Sequence, residues 1–307
     1  MKLSVLDLVP VLGDADSATA LKQAAELAGT AEQLGYHRYW AAEHHDLPHL
    51  ACPAPEVLLA YIGARTHRIR LGSGALLLPH YSPMKVAETF RLLAALCPGR
   101  IDLGIGRAPG GSAHVSIALS GNFLENVRKM PETLEALAEL LTDRYRLDGQ
   151  SVTARPIPPS PPEIWMLGTN HRSAAYASKL GAGYVFGHFM SDRDGEEVLS
   201  TYRKEFQPSS LTPEPRAMAA VSIICAETEE KAYRLAAQGR ARFEPKELPK
   251  DGAAREHQAL IGTPEQVKAG LLQYRDRYRV EEFLVVTLTG DYESRLHSYK
   301  LLAEACL

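Results

Sequence analysis

The sequence predicts a (β/α)8 barrel, an α/β fold formed as one domain over residues 1–307 with insertions. Three observations carry the prediction. Short apolar segments alternate with amphipathic helical ones along the chain, which implies a parallel sheet. Eight such units fit a chain of 307 residues, and no linker divides it into two domains. Small residues and polar side chains cluster just after the second to fifth strands, on the face where a barrel carries its active site.

In order, Lys2 to Val9 reads as the first strand. Asp16 or Ser17 can cap a helix with Leu21, Ala24, Ala28, Ala31 and Leu34 on one face, and Gly35 ends it. Tyr39 to Ala42 is the second strand, followed by a histidine-rich loop and a helix from Pro55 to Arg65. The third strand, Ile69 to Ala75, ends in small residues, and Ser82-Pro83 opens a helix that stops at Cys97-Pro98-Gly99. The fourth strand, Arg100 to Ile105, empties into GRAPGGS and a loop from Ala108 to Phe123 with no evident element. A helix from Glu125 to Leu141 and a small hairpin about Asp148-Gly149 follow. Glu163 to Leu167 is the fifth strand, and Gly168-Thr169-Asn170 leads into a helix ending at Leu180-Gly181. Tyr184 to Gly187 is the sixth strand, Asp192 to Phe206 a helix, Met218 to Ala226 the seventh strand and Glu229 to Phe243 a helix. The charged, Pro- and Gly-bearing stretch from Phe243 to Gln258 reads as an exposed insertion. Thr263-Pro264-Glu265-Gln266 is a capping box, Glu282 to Thr287 the eighth strand, and Tyr292 to Ala305 the last helix.

Composition narrows the classes. The chain is 45% hydrophobic and 23% charged with a formal charge of -3, so it has no basic footprint for nucleic acid. No apolar run approaches the ~20 residues that span a bilayer. The opening MKLSVLDLVPVLGD is too short in its apolar core and soon too acidic for a secretory signal. Cys52, Cys97, Cys225 and Cys306 are scattered with no CxxC pair. That argues against a zinc site and for reduced thiols in the cytoplasm.

The densest chemistry lies in Tyr36 to His49, where an apolar strand stops at Glu43-His44-His45 and a loop carries His49. Histidine is the side chain that titrates nearest neutrality. Adjacent histidines on an extended segment point apart, which makes them poor joint metal ligands. Gly168-Thr169-Asn170 and Ser173 lie between a strand and a helix N-terminus, a place that suits an anion. Arg107 leaves the neighbouring strand towards that turn and can add a charge-assisted contact to the same phosphate. Ser73-Gly74-Ala75 lets backbone approach a ligand closely, or serves tight packing in the barrel. Gly104-Ile105-Gly106 lacks the third glycine of a dinucleotide fingerprint, whose place Pro109 takes.

Six stretches, taken in order, match a known family: SVLDLVPV at Ser4, AEHHDLP at Ala42, GALLLPHYSPMKVAE at Gly74, PGRIDLGIGRAPGG at Pro98, IWMLGTN at Ile164 and GTPEQV at Gly262. Nearly end to end, the chain resembles the bacterial luciferase-like flavin monooxygenases, and most closely their single-chain luciferase family oxidoreductase branch. The resemblance implies a TIM barrel and a cytoplasmic monooxygenase of a small organic substrate. Reduced FMN from a separate flavin reductase would react with O2 through a flavin C4a-hydroperoxide. It places the catalytic histidine at His44, with Glu43 holding its ring, and a non-prolyl cis peptide between Gly74 and Ala75. It places the phosphate site at Arg107, Gly168, Thr169, Asn170 and Ser173. The turn reads Gly-Thr-Asn where the branch commonly has Gly-Ser-Ser, and Gly106 stands where luciferase has a reactive cysteine, so light emission is not implied. A homodimer through barrel helices is also implied.

Related barrels use coenzyme F420 for hydride transfer, which makes F420 the alternative cofactor. A flavin-binding protein without turnover and a metal hydrolase are readings from other classes. The Ala108–Phe123 loop is expected to act as a lid that excludes water. Tyr81, Phe186, His188 and Phe189 are expected to shape the substrate pocket.

Overall fold

The computed structural model describes residues 1–243 and 259–307, so all but the first residue of the insertion expected from Phe243 to Gln258 lies outside the described residues. Eight parallel strands close into a barrel: β1 (Lys2–Asp7), β2 (Arg38–Ala41), β3 (Arg70–Ser73), β4 (Ile101–Gly106), β5 (Glu163–Gly168), β6 (Gly183–Gly187), β7 (Ala217–Cys225) and β8 (Glu282–Val286). Closure is complete because β8 pairs with β1, Ser4 opposite Leu284, and β6 with β7, Phe186 opposite Ala219. The helices are α1 (Ser17–Leu34), α2 (Pro55–Gly63), α3 (Pro83–Leu96), α4 (Ala113–Ser120), α5 (Phe123–Arg128), α6 (Met130–Leu141), α7 (His171–Leu180), α8 (Gly195–Glu205), α9 (Glu229–Phe243), α10 (Pro264–Tyr278) and α11 (Tyr292–Cys306).

Alternation along the strands sorts the lumen into layers. At the N-terminal end Ser4, Arg38, Arg70, Asp102, Glu163, Arg216 and Glu282 form an ionic floor. Arg38 meets Asp102 and Glu282, each at 2.7 Å, and Arg216 meets Glu163 at 2.6 Å. Arg70 bonds both Asp102 and Glu163, and Ser4 donates to Glu282 at 2.6 Å. Three guanidiniums balance three carboxylates, so the buried charges are paired, as desolvation demands. Two residues further along, Leu6, Trp40, Trp165 and Leu284 belong to the apolar lumen, joined by Val185 and Met218. The indoles meet edge to face at 6.1 Å, and the Arg38 and Arg216 guanidiniums lie 5.1 and 4.7 Å from the Trp165 ring centre. Gly72 makes room for Trp40, since a Cβ there would lie 2.5 Å from the indole Nε1.

The strand order agrees with the sequence reading, and four local expectations change. The Ala108–Phe123 loop holds α4, whose Ser112 hydroxyl accepts from the Val115 N–H at 3.3 Å. The expected 125–141 helix is two helices, α5 and α6, separated at Lys129 just before Met130-Pro131. Proline lacks the N–H that would continue α5. Ser82, which the sequence offers as the cap of the Pro83 helix, precedes α3 without a side-chain capping bond. A short strand, Ala259–Gly262, adds to the far end of β7 opposite Ser222 to Cys225.

Candidate active site

The mouth of the barrel gathers the residues that leave the C-terminal ends of β2 to β5. Past β2, Glu43 is fully buried and its carboxylate takes three donors. Oε1 pairs with His45 Nε2 at 2.8 Å and accepts from the Tyr81 hydroxyl at 2.9 Å. Oε2 accepts from the Leu77 N–H at 2.8 Å. Burial raises the Glu43 pKa, and these donors oppose that rise. Glu43 therefore holds His45 and not His44, which corrects the expected orienting contact. Side-chain alternation turns neighbouring residues to opposite sides, so His44 faces away from the carboxylate that holds His45.

His44 is half-buried, and its backbone N–H donates to the Cys52 carbonyl at 3.0 Å. Its Nδ1 is buried and has no partner among the described residues. Burial, assisted by His45, lowers the imidazole pKa to about 4, so the ring is neutral near pH 7. His45 is buried and its N–H donates to the Gly110 carbonyl at 2.8 Å, while His49 sits exposed further along the loop.

The Gly74–Ala75 peptide is cis. Beneath it, a Cβ at Gly74 would run into Leu6 and Trp40, and one at Gly106 would lie 2.9 Å from the Ala75 Cβ. Both glycines answer to packing, and the surface they leave is backbone with one methyl, Ala75. Beside it, Arg107 follows β4. The register of β4 on β5, Ile105 opposite Met166, brings Arg107 out alongside Gly168. Arg107 Nη1 is buried and without a partner among the described residues. An orphaned buried guanidinium nitrogen is rare and costly, and an anion would satisfy it.

The turn after β5 is closed on itself. Asn170 Oδ1 accepts from the N–H groups of Arg172 at 3.1 Å and Ser173 at 3.3 Å, and Ser173 Oγ completes the capping box. Gly168 is required there, because a Cβ would strike the Ser173 side chain. Two of the N–H groups expected to meet a phosphate are thus already capped by Asn170, which leaves Arg107 as the orphaned donor beside the turn.

Of the expected pocket residues, Phe189 packs against the top of the lumen, while Phe186 is fully buried outside it against Tyr278. His188 lies between two tyrosines, its Nε2 3.0 Å from the Tyr274 hydroxyl and its Nδ1 3.1 Å from that of Tyr278. Tyr81 belongs to Glu43. Sequence reasoning missed Leu8, Leu167 and Leu288, which join Phe189 as half-buried apolar side chains on the lumen. Each lies two residues beyond an inward residue (Leu6, Trp165, Val286), so strand periodicity carried the signal. It also missed His80, whose Nδ1 bonds Ser120 Oγ at 3.0 Å and whose Nε2 bonds the Pro109 carbonyl at 2.9 Å.

Residues 1–280 match the family model described as luciferase-like monooxygenase. The chain is 35% identical to the N-acetyl-S-alkylcysteine monooxygenase of Bacillus subtilis, over 100% of this chain and 98% of that protein. It is 38% identical to the solved structure of apo-MsnO8, with a TM-score of 0.89, covering 99% and 98% of the two chains. Two more distant structures share the fold. The oxygenating constituent of 3,6-diketocamphane monooxygenase from Pseudomonas putida, solved with FMN, is 18% identical with a TM-score of 0.76 over 99% of this chain and 98% of that one. An F420-dependent secondary alcohol dehydrogenase, solved with an F420–acetone adduct, is 14% identical with a TM-score of 0.72 over 100% of this chain and 99% of that one.

Proposed function

The chain belongs to the luciferase-like monooxygenases, and on that premise we propose that it is an FMN-dependent member that oxygenates a small, largely apolar organic substrate. The observation that carries the reading is that two buried nitrogens without partners among the described residues, His44 Nδ1 past β2 and Arg107 Nη1 past β4, lie on the strand ends that flank the cis Gly74–Ala75 peptide past β3. Arg107 would hold the FMN phosphate beside the Gly168, Thr169, Asn170 and Ser173 turn. Gly74 and Ala75 would lie against the flavin ring. Reduced FMN supplies the electrons that activate O2 when it is bound.

Near pH 7 His44 is a neutral imidazole and, with its pKa lowered to about 4, a weak base, so on this reading its unpartnered Nδ1 offers a hydrogen bond at the reacting atoms. Leu8, Leu167, Phe189 and Leu288 give the substrate an apolar wall. Across the Ala108–Phe123 segment, α4 is tied down through Ser120 to His80, which suits exclusion of water. Glu43 acts at one remove, through His45.

A separate flavin reductase is the source of reduced FMN on this reading, and the chain works in the cytoplasm. Exposed Val57 and Tyr61 on α2 and Leu92 and Leu96 on α3 offer an apolar face for a homodimer. Sedimentation of the pure protein tests it, and a monomer at micromolar concentration would refute it.

Titration with FMN, reduced FMN and F420, followed by fluorescence, tests the cofactor. Tight binding of F420 with none of FMN would refute the FMN assignment in favour of hydride transfer. A His44→Ala variant is expected to bind flavin yet lose substrate-coupled oxygen consumption. A flavin-binding protein without turnover would show no such consumption even as wild type.

A further inference from the structure

We infer that Glu43 is a cofactor-positioning residue, whose buried carboxylate locks the arm carrying Arg107 to the backbone surface at Gly74-Ala75. The inference rests on the FMN reading above and concerns how that site is held. The expected role for Glu43 was to orient His44, and the geometry rules that contact out. Its three bonds run elsewhere. The Leu77 N–H lies two residues past Ala75, so Oε2 fixes the segment that leaves the cis peptide. Through Oε1 the carboxylate holds the His45 ring, and the His45 backbone N–H holds the Gly110 carbonyl, three residues past Arg107.

The arm is also packed against this hub. A Cβ on Gly110 would strike Leu77, and one on Gly111 would meet the His45 carbonyl oxygen at 2.5 Å. His80 Nε2 takes the adjacent Pro109 carbonyl at 2.9 Å, so two consecutive carbonyls of the arm are fastened. Tyr81, the third donor to Glu43, anchors the start of α3 to the same point. A ligand with a phosphate at Arg107 and a flat ring on Ala75 needs these two elements in fixed relation, and misplacement of even about 1 Å is costly. No other carboxylate among the described residues bonds the Leu77 N–H or the His45 ring.

The experiment compares FMN with riboflavin, which share the ring and differ by the phosphate. Dissociation constants are measured by fluorescence quenching for the full-length wild type, Glu43→Gln, Tyr81→Phe and Arg107→Met. Glutamine puts an amide NH2 where a carboxylate oxygen accepted, so one of the three donors must reverse or be lost. We expect the wild type to prefer FMN over riboflavin. Glu43→Gln should cut that preference about tenfold, and Tyr81→Phe should cut it in the same direction by less. Glu43→Gln added to Arg107→Met should leave the ratio where Arg107→Met alone sets it. A merely structural role for Glu43 would weaken both flavins equally, and an unchanged FMN-to-riboflavin ratio in Glu43→Gln and Tyr81→Phe overturns the inference. If Glu43→Gln does not fold, the Tyr81→Phe ratio decides in the same way. A wild type that binds both flavins alike overturns the phosphate site itself, which is a separate and recognisable failure.

Discussion

Acidification tests the environment of His44 directly. Burial favours the neutral ring, moving the imidazole from its ordinary 6.5 to about 4, which at ~1.36 kcal/mol per pH unit is about 3 kcal/mol in favour of the neutral form. The folded-state value is depressed, so this contribution to stability is fully present above pH 6.5. It is lost as the pH falls from 6.5 through about 4, because the unfolded chain takes up the proton first. By pH 4.5, about 2.5 kcal/mol of it should be gone. His188, also lowered to about 4 by burial and Arg277, titrates over the same range, so wild type alone would not isolate His44. The assay is therefore urea unfolding of wild type and His44→Gln at pH 7 and pH 4.5, followed by the fluorescence of Trp40 and Trp165, both buried in the lumen. The stability difference between the two proteins should move by about 2.5 kcal/mol against wild type on acidification. A difference that stays constant would refute the desolvated His44.

Other predictions concern the phosphate site and the barrel floor. Arg107→Met should weaken FMN by about 10- to 100-fold through loss of charge-assisted bonds and leave riboflavin nearly unchanged, which parallel titrations would show. Asp102→Asn removes a charge shared by Arg38 and Arg70, leaving three guanidiniums to two carboxylates in the floor, and should cost about 3–5 kcal/mol in urea unfolding. A cost under about 1 kcal/mol would mean that the floor is not desolvated. Gly104→Ala drives a methyl onto the Ser73 carbonyl, a backbone atom that cannot swing aside. It should cost about 3 kcal/mol or more, read as a lower thermal midpoint.

The sequence by itself determined the barrel, because each strand is a short apolar run between helices and a parallel sheet has few other closures. It placed Gly168, Thr169, Asn170 and Ser173 between a strand and a helix N-terminus, but assigned that turn to an anion where the fold shows Asn170 and Ser173 capping the helix. Tertiary structure decided what period and propensity do not encode. The helix α4 was illegible because its stabilising bond from Ser120 is to His80, forty residues away in the chain. The burial of Phe186 outside the lumen and the hold on His188 were illegible because both contacts come from tyrosines of α10, about ninety residues on. The partner of Glu43 was undetermined for the same reason. Three acceptor bonds to His45, Leu77 and Tyr81 become available only when β2, the segment after β3 and the start of α3 meet at one mouth. A buried carboxylate goes where donors converge, and convergence is a property of the folded chain.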